Sequence, residues 1–199
     1  MAACPDCGRA EAPEVARRIV LPGDRRADEI ALEILVCPCG FKAIAVTEQP
    51  RRTSLRDAAP ARVGYRLPPP AVDLIAFLIG QCPKPAEEYC GCKAHTALNR
   101  RDLRNQWNLL HSFAPFAGFV LGAGRPKAAA GFAPAPLAWR RAGAGHAAAV
   151  DGREWRLDPL GGGAFALAIG DALELELELD ALPPFWRIEQ AEPAGGGPV

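Results

Sequence analysis

Cys4-Pro5-Asp6-Cys7-Gly8 and Cys37-Pro38-Cys39-Gly40-Phe41 decide how the first part of this chain folds. In each, two cysteines stand close together, a proline between them sets a turn, and the following glycine supplies a left-handed backbone conformation that lets the chain fold back. A third stretch, Cys82-Pro83-Lys84-Pro85-Ala86-Glu87-Glu88-Tyr89-Cys90-Gly91-Cys92-Lys93-Ala94-His95, holds the remaining three of the seven cysteines and a histidine. A divalent zinc ion takes four thiolate or imidazole donors in a tetrahedron. Four donors (Cys4, Cys7, Cys37, Cys39) and then four more (Cys82, Cys90, Cys92, His95) predict two zinc ions.

Residues 14–21 and 29–36 lie between the first two cysteine pairs and are expected as strands joined by a Pro22-Gly23-Asp24 turn. Ile30, Leu32, Ile34 and Val36 alternate with smaller or polar residues, the period of a half-buried strand. Two cysteine knuckles flanking a hairpin resemble a zinc ribbon over residues 1–48, with one residue fewer in the second knuckle than the usual Cys-x-x-Cys. The resemblance implies a zinc that holds the hairpin together and leaves no coordination position open for water or substrate. Iron–sulfur ligation is the other use of such donors, but ferredoxin spacing, with three close cysteines and a distant fourth, is not present, and zinc is expected.

In the second cluster His95 completes the tetrahedron, with His111 as the reserve candidate. If His95 does not bind, Cys82, Cys90 and Cys92 would hold an ion with water in the fourth position. Glu87 or Glu88 would then shuttle protons as the non-ligand glutamate of a zinc deaminase does, although the spacing differs from that signature. The chain has no Gly-x-Ser-x-Gly elbow, phosphate-binding loop, dinucleotide fingerprint or His-Glu-x-x-His helix. A non-enzymatic protein is therefore expected.

With 199 residues, 49% of them hydrophobic, the chain can bury at least one core and has room for two domains. Formal net charge is zero, which removes the simplest argument for nucleic-acid binding. No run approaches the roughly 18 apolar residues of a membrane span. The first residues lack the charged and apolar regions of a signal peptide, and an odd cysteine count argues against a secreted disulfide framework. A cytoplasmic location without membrane contact is expected, and the abundance of Ala, Arg, Gly and Pro suggests a GC-rich bacterial genome.

Residues 49–70 form a connector in which Arg51, Arg52 and Arg56 make a solvated face. Pro68-Pro69-Pro70 then introduces a helix over 71–80 that delivers the chain to Cys82. A longer helix is predicted over 94–112, where Leu103, Trp107 and Leu110 share a face and Arg100, Arg104, Asn108 and His111 line a polar stripe. Arg100, Arg104 and His111 on a helix leaving a metal loop are the basis of an alternative, a regulatory nucleic-acid-binding protein.

Residues 113–190 carry short alternating segments and are expected to form an antiparallel β domain. Val150-Asp151-Gly152-Arg153 predicts a two-residue hairpin turn that pairs Ala148 with Trp155 and His146 with Leu157. Phe165, Leu167 and Ile169 mark one strand. Leu173, Leu175, Leu177 and Leu179, alternating with acidic residues, mark the next, and a three-residue Gly170-Asp171-Ala172 loop would pair Ile169 with Leu173 and Leu167 with Leu175. Residues 185–188 supply a last strand and 191–199 a disordered tail. The fold class is thus α+β: an N-terminal zinc ribbon (1–48), a connector (49–70), short central helices around a second zinc loop (71–112) and a small antiparallel β domain (113–190). The expected function is protein interaction or scaffolding through an unidentified protein partner. Nucleic-acid binding is the first alternative, and a metal-dependent or redox enzyme at Cys82, Cys90 and Cys92 is the second.

Overall fold

Ile30, Ala31, Leu32, Glu33, Ile34 and Leu35 are buried in succession, so the strand that carries them is covered on both faces. This is β2 (Ala27–Val36), and it lies inside a five-stranded sheet. The computed structural model describes residues 3–10, 13–23, 27–50, 61–100, 118–121, 129, 131–170 and 175–189. They fall into two compact units, Met1–Ala133 and Pro134–Val199, and the class is α+β with strands predominating.

In the first unit β1 (Glu14–Pro22), β2, β3 (Lys42–Pro50), β4 (Ala61–Tyr65) and β5 (Gly118–Val120) pair in that order, all antiparallel. The register places Ile19, Leu32 and Val46 on one face, with Ile34 and Ile44 beside them. Lys42, opposite Val36 on that same face, reaches Asp73 of helix α1 (Pro69–Gln81) at 2.7 Å. Helix α1 therefore covers this face with Val72, Leu74, Ile75, Leu78 and Ile79 among its buried residues. Proline in its first turn matches the missing N–H partners there, and Cys82 caps its end. The opposite face packs Leu35, Ala43 and Ala45 with Cys4, Cys37, Phe41 and Leu121.

Among the described residues of this unit, the carboxylates of Asp73 and Glu33 are buried. Asp73 is fully buried and is held by Lys42, whose ammonium also donates to the Ala133 carbonyl at 2.7 Å and lies 4.9 Å from the Phe132 ring centroid. Glu33 accepts from Arg62 Nε at 3.0 Å and from Thr47 Oγ1 at 3.4 Å, with Arg18 Nη1 at 3.6 Å. Gly64 sits under the Phe119 ring: a Cβ there would come within 2.3 Å of it, so the β4–β5 pairing needs a residue without a side chain.

The second unit is a six-stranded sheet in the order β10-β9-β8-β7-β6-β11, built from β6 (Leu137–Ala142), β7 (Gly145–Val150), β8 (Arg153–Gly161), β9 (Ala164–Ile169), β10 (Leu175–Leu179) and β11 (Trp186–Ile188). The Asp151-Gly152 turn forms with both residues at positive φ, and Ala148 faces Trp155 and His146 faces Leu157 as the sequence predicts. Trp139 and Trp155 are buried to 1% exposure or less. Trp186 joins them with ring centroids 4.8 and 6.4 Å away.

Several expectations differ from the structure. The strand read as half-buried from its alternation, β2, is buried on both faces because α1 covers one and the Cys4, Phe41 and Leu121 cluster the other. Residues 118–120, expected in the 113–190 β domain, pair with β4 in the first sheet as β5. Leu175, not Leu173, pairs with Ile169, and Leu177 pairs with Leu167. The period of two specifies which residues share a face, and a two-residue shift preserves that face, so alternation alone does not select between these registers. Residues 61–65, expected within a connector, form β4; their pattern is too short to read without its partners. The last strand, β11, runs parallel to β6 rather than extending the antiparallel order. Helix α2 covers Lys93–Asn99, and Arg100 is already extended at φ −66° and ψ 128°, so the 94–112 helix is not continuous through Arg100. Residues 101–112, like the proposed tail at 191–199, lie outside the described residues.

Replacing Lys42 by Met removes the ammonium that lies 2.7 Å from the buried Asp73 carboxylate and should cost about 3–5 kcal/mol. Urea unfolding of K42M should show this as a lower midpoint. Adding Asp73→Leu should recover much of the loss, since an apolar pair tolerates burial; equal stability of K42M and the parent would contradict a stabilising role for this ion pair.

Candidate metal centres

Antiparallel pairing places Glu14, at the start of β1, opposite Val36, at the end of β2. The first knuckle immediately precedes β1 and the second immediately follows β2, so two cysteine pairs distant in sequence meet at one end of the sheet. The Cys4 and Cys39 sulfurs stand 3.8 Å apart and those of Cys7 and Cys37 stand 3.7 Å apart, with all four within 4.8 Å of one another. Each knuckle closes on itself: the Gly8 amide donates to the Cys4 carbonyl and the Gly40 amide to the Cys37 carbonyl, both at 2.9 Å. Gly8 and Gly40 have φ of 68° and 97°, the left-handed geometry that favours glycine. Cys4 and Cys37 are buried, Cys7 and Cys39 exposed. Asp6 ties the first knuckle to β4's flank through Arg66 at 2.6 Å, and Arg66 lies over the Phe41 ring.

The second group joins the two helices. Cys82 caps the end of α1 and Cys92 caps the start of α2, its sulfur accepting the His95 amide at 3.3 Å. The sulfurs of Cys82, Cys90 and Cys92 lie within 4.8 Å of one another, and the Cys82–Cys90 separation is 3.7 Å. His95 is 2% exposed and its Nδ1 lies 3.7 Å from the Cys82 sulfur, but the donor group within 4.8 Å comprises the three sulfurs without this histidine. Its Nε2 lies 2.8 Å from the Glu88 carbonyl. A carbonyl only accepts, so the Nε2–H donates to it, which orients the ring with Nδ1 toward the Cys82 sulfur. The loop between the cysteines is anchored to the outer edge of β1 by the Val20 amide, which donates to the Pro85 carbonyl at 2.7 Å.

These separations suit a metal ion. A tetrahedron with metal–sulfur bonds of about 2.3 Å has edges of about 3.8 Å, and one sulfur replaced by nitrogen at about 2.0–2.1 Å shortens an edge to about 3.6 Å. The sulfurs are too far apart for disulfides, whose bond is about 2.05 Å. Backbone amides supply the remaining polarity. The Arg9 amide donates to Cys7 and draws its thiol down to about 7, and the Cys92 amide lowers Cys90 in the same way. Burial acts oppositely on Cys37, pushed up to about 12, and on Cys82, pushed up to about 11. The Phe41 amide lowers Cys39, but burial of its sulfur and the neighbouring Cys7 and Cys4 thiols outweigh that and raise it. Each group thus holds a thiol drawn down by backbone amides (Cys7, Cys90) together with one pushed up by burial (Cys37, Cys82).

Glu87 and Glu88 line a cleft of about 940 Å³ together with Val20, Asp28, Glu29, Gln49, Ala86 and Tyr89. Glu87 pairs with Lys84 at 3.1 Å and Glu29 with Arg18 at 3.5 Å. The Glu88 carbonyl, not visible in a sequence pattern, is what orients His95. Arg100 is exposed beyond the end of α2, while Arg104 and His111 lie outside the described residues. Among the described residues no helix is long and apolar enough to cross a membrane. Comparison of the chain with protein-family models, curated proteins and solved structures returned no match.

Metal uptake must expel protons. Cys37 and Cys82, raised from 9.0 to about 12 and about 11, are protonated at neutral pH in the metal-free fold and must ionise to bind. Affinity at both groups should therefore rise with pH and fall on acidification, by roughly tenfold per unit for each proton displaced. Zinc titrations monitored with a pH indicator in weak buffer should record proton release; pH-independent affinity between pH 6 and 8 would contradict thiolate ligation.

Proposed function

We infer that this chain is a non-enzymatic, zinc-binding interaction module organised by two structural ions, one held by Cys4, Cys7, Cys37 and Cys39, the other by Cys82, Cys90, Cys92 and His95 Nδ1. The observation that carries this reading is the gathering of four and of three sulfurs, each group within 4.8 Å, with facing sulfurs at 3.7–3.8 Å, close to the edges of a zinc tetrahedron. The 3.7 Å approach of Nδ1 to Cys82 supports His95 as the fourth ligand of the second. Zinc suits four sulfurs or three sulfurs and an imidazole, and it brings no redox chemistry of its own. Two closed shells leave no position for a substrate, so the ions serve to hold surfaces in place. The first pins the N-terminal knuckle to the sheet, and the second locks the α1–α2 corner and its loop against β1. An interaction module needs such fixed surfaces because ordering a loop at the moment of binding costs affinity.

Purified protein should carry two equivalents of zinc and no visible chromophore; a brown preparation would replace zinc by iron–sulfur ligation. Substituting His95 by Ala should weaken the second ion roughly a hundredfold, one ligand's share of about 10–16 kcal/mol for a structural zinc, while the first ion stays. Unaltered affinity for both ions would instead place water at the fourth position and reopen the enzymatic reading.

The sheet of the second unit contains no cysteine. Chelation should therefore abolish ordered structure around the knuckles while leaving the Trp139, Trp155 and Trp186 environment intact. Near-ultraviolet circular dichroism dominated by those indoles should survive chelator; its loss together with the far-ultraviolet signal would show one cooperative structure.

A further inference from the structure

The two cysteine groups differ in how a small oxidant meets them. At the first, Cys7 and Cys39 are exposed, and a methyl built on the neighbouring Gly8 or Gly40 would touch nothing within 4 Å among the described residues. Each exposed sulfur faces a buried sulfur of the other knuckle: Cys39 faces Cys4 at 3.8 Å and Cys7 faces Cys37 at 3.7 Å. A disulfide at either crossing needs the sulfurs to close by less than about 2 Å. Four sulfurs also pair off without remainder. At the second group Cys82 and His95 are buried, Cys90 and Cys92 are half-buried, and three sulfurs leave one unpaired.

Resting on the metal reading above, we propose that the Cys4, Cys7, Cys37, Cys39 centre is a peroxide-responsive metal-release site, converted by hydrogen peroxide into Cys4–Cys39 and Cys7–Cys37 disulfides with loss of its ion. The exposed thiolate of Cys7 or Cys39 attacks the peroxide O–O bond, giving a sulfenic acid and hydroxide. The facing thiolate then attacks that sulfur and expels the second hydroxide. Two peroxides are reduced to four waters with four protons taken up, four thiolates are oxidised to two disulfides, and one divalent ion leaves. Both disulfides join the same two knuckles that the ion joined. The hairpin end thus stays closed while the metal departs, and thiol reduction returns the site to its binding form.

The test uses the full-length, zinc-loaded protein, with zinc counted before oxidant is added. Hydrogen peroxide should release one equivalent at a rate roughly tenfold or more above the other, read with a chromogenic zinc chelator. Alkylation and peptide mapping at that point should find Cys4 linked to Cys39 and Cys7 to Cys37, with Cys82, Cys90 and Cys92 as thiols. Dithiothreitol with added zinc should restore the count to two. Equal release rates, earlier loss from the Cys82 group, links within a knuckle, or sulfinic acids in place of disulfides would overturn the proposal. Zinc bound at the start but retained under peroxide overturns it while leaving the metal reading intact; protein carrying no metal before oxidant overturns both.

Discussion

The pairing that sets Glu14 opposite Val36 is the constraint on which the first unit depends. It brings together two turns separated by a whole hairpin, and only there can four sulfurs surround one ion. A hairpin of two strands is marginal in water, and the sheet is widened by β3, β4 and β5, so that Leu35 and Ala45 pack with Cys4 and Cys37 in one apolar cluster. Two of the sulfurs are therefore part of the core, and burial raises Cys37 until a cation is supplied. Sheet and centre are coupled through these shared residues: the same contacts that bury the sheet face make an empty set of thiolates unfavourable.

The second centre is built on a different economy of elements. Its sulfurs cap two helices, one of them only seven residues long, which is too short to be stable by itself. The thiol of Cys92 takes the place of the usual Ser or Asp cap, and the Glu88 carbonyl sets the imidazole. The chain between Cys82 and Cys90 is in turn fastened to β1 by one backbone bond from Val20. Local turns, helix caps and sheet edge all converge on the same few atoms, so a metal there organises far more chain than it touches.

Spacing alone was enough to assign cysteines to two groups, because a Cys-x-x-Cys or Cys-x-Cys turn can aim its sulfurs only over a short radius. Alternation located β2, and the Asp-Gly turn fixed the pairing of β7 and β8; that β2 is buried on both faces and not on one was not legible in the alternation. What failed to appear in the sequence depended on distant partners. Strand β4 needs β3 and β5 on its flanks, the β9–β10 register needs the loop length, and α2 stops at Asn99 although apolar residues continue at helical spacing beyond it. Glu33 and Asp73 look like surface carboxylates in a linear pattern, yet both are buried, since Arg62 and Lys42 arrive from other strands. Periodicity and ligand spacing are short-range properties of the chain and can be read from it directly. Burial of charge is settled by groups far away in sequence, while the β9–β10 register and the orientation of His95 by the Glu88 carbonyl depend on how nearby loops close, and only the folded arrangement brings those groups together.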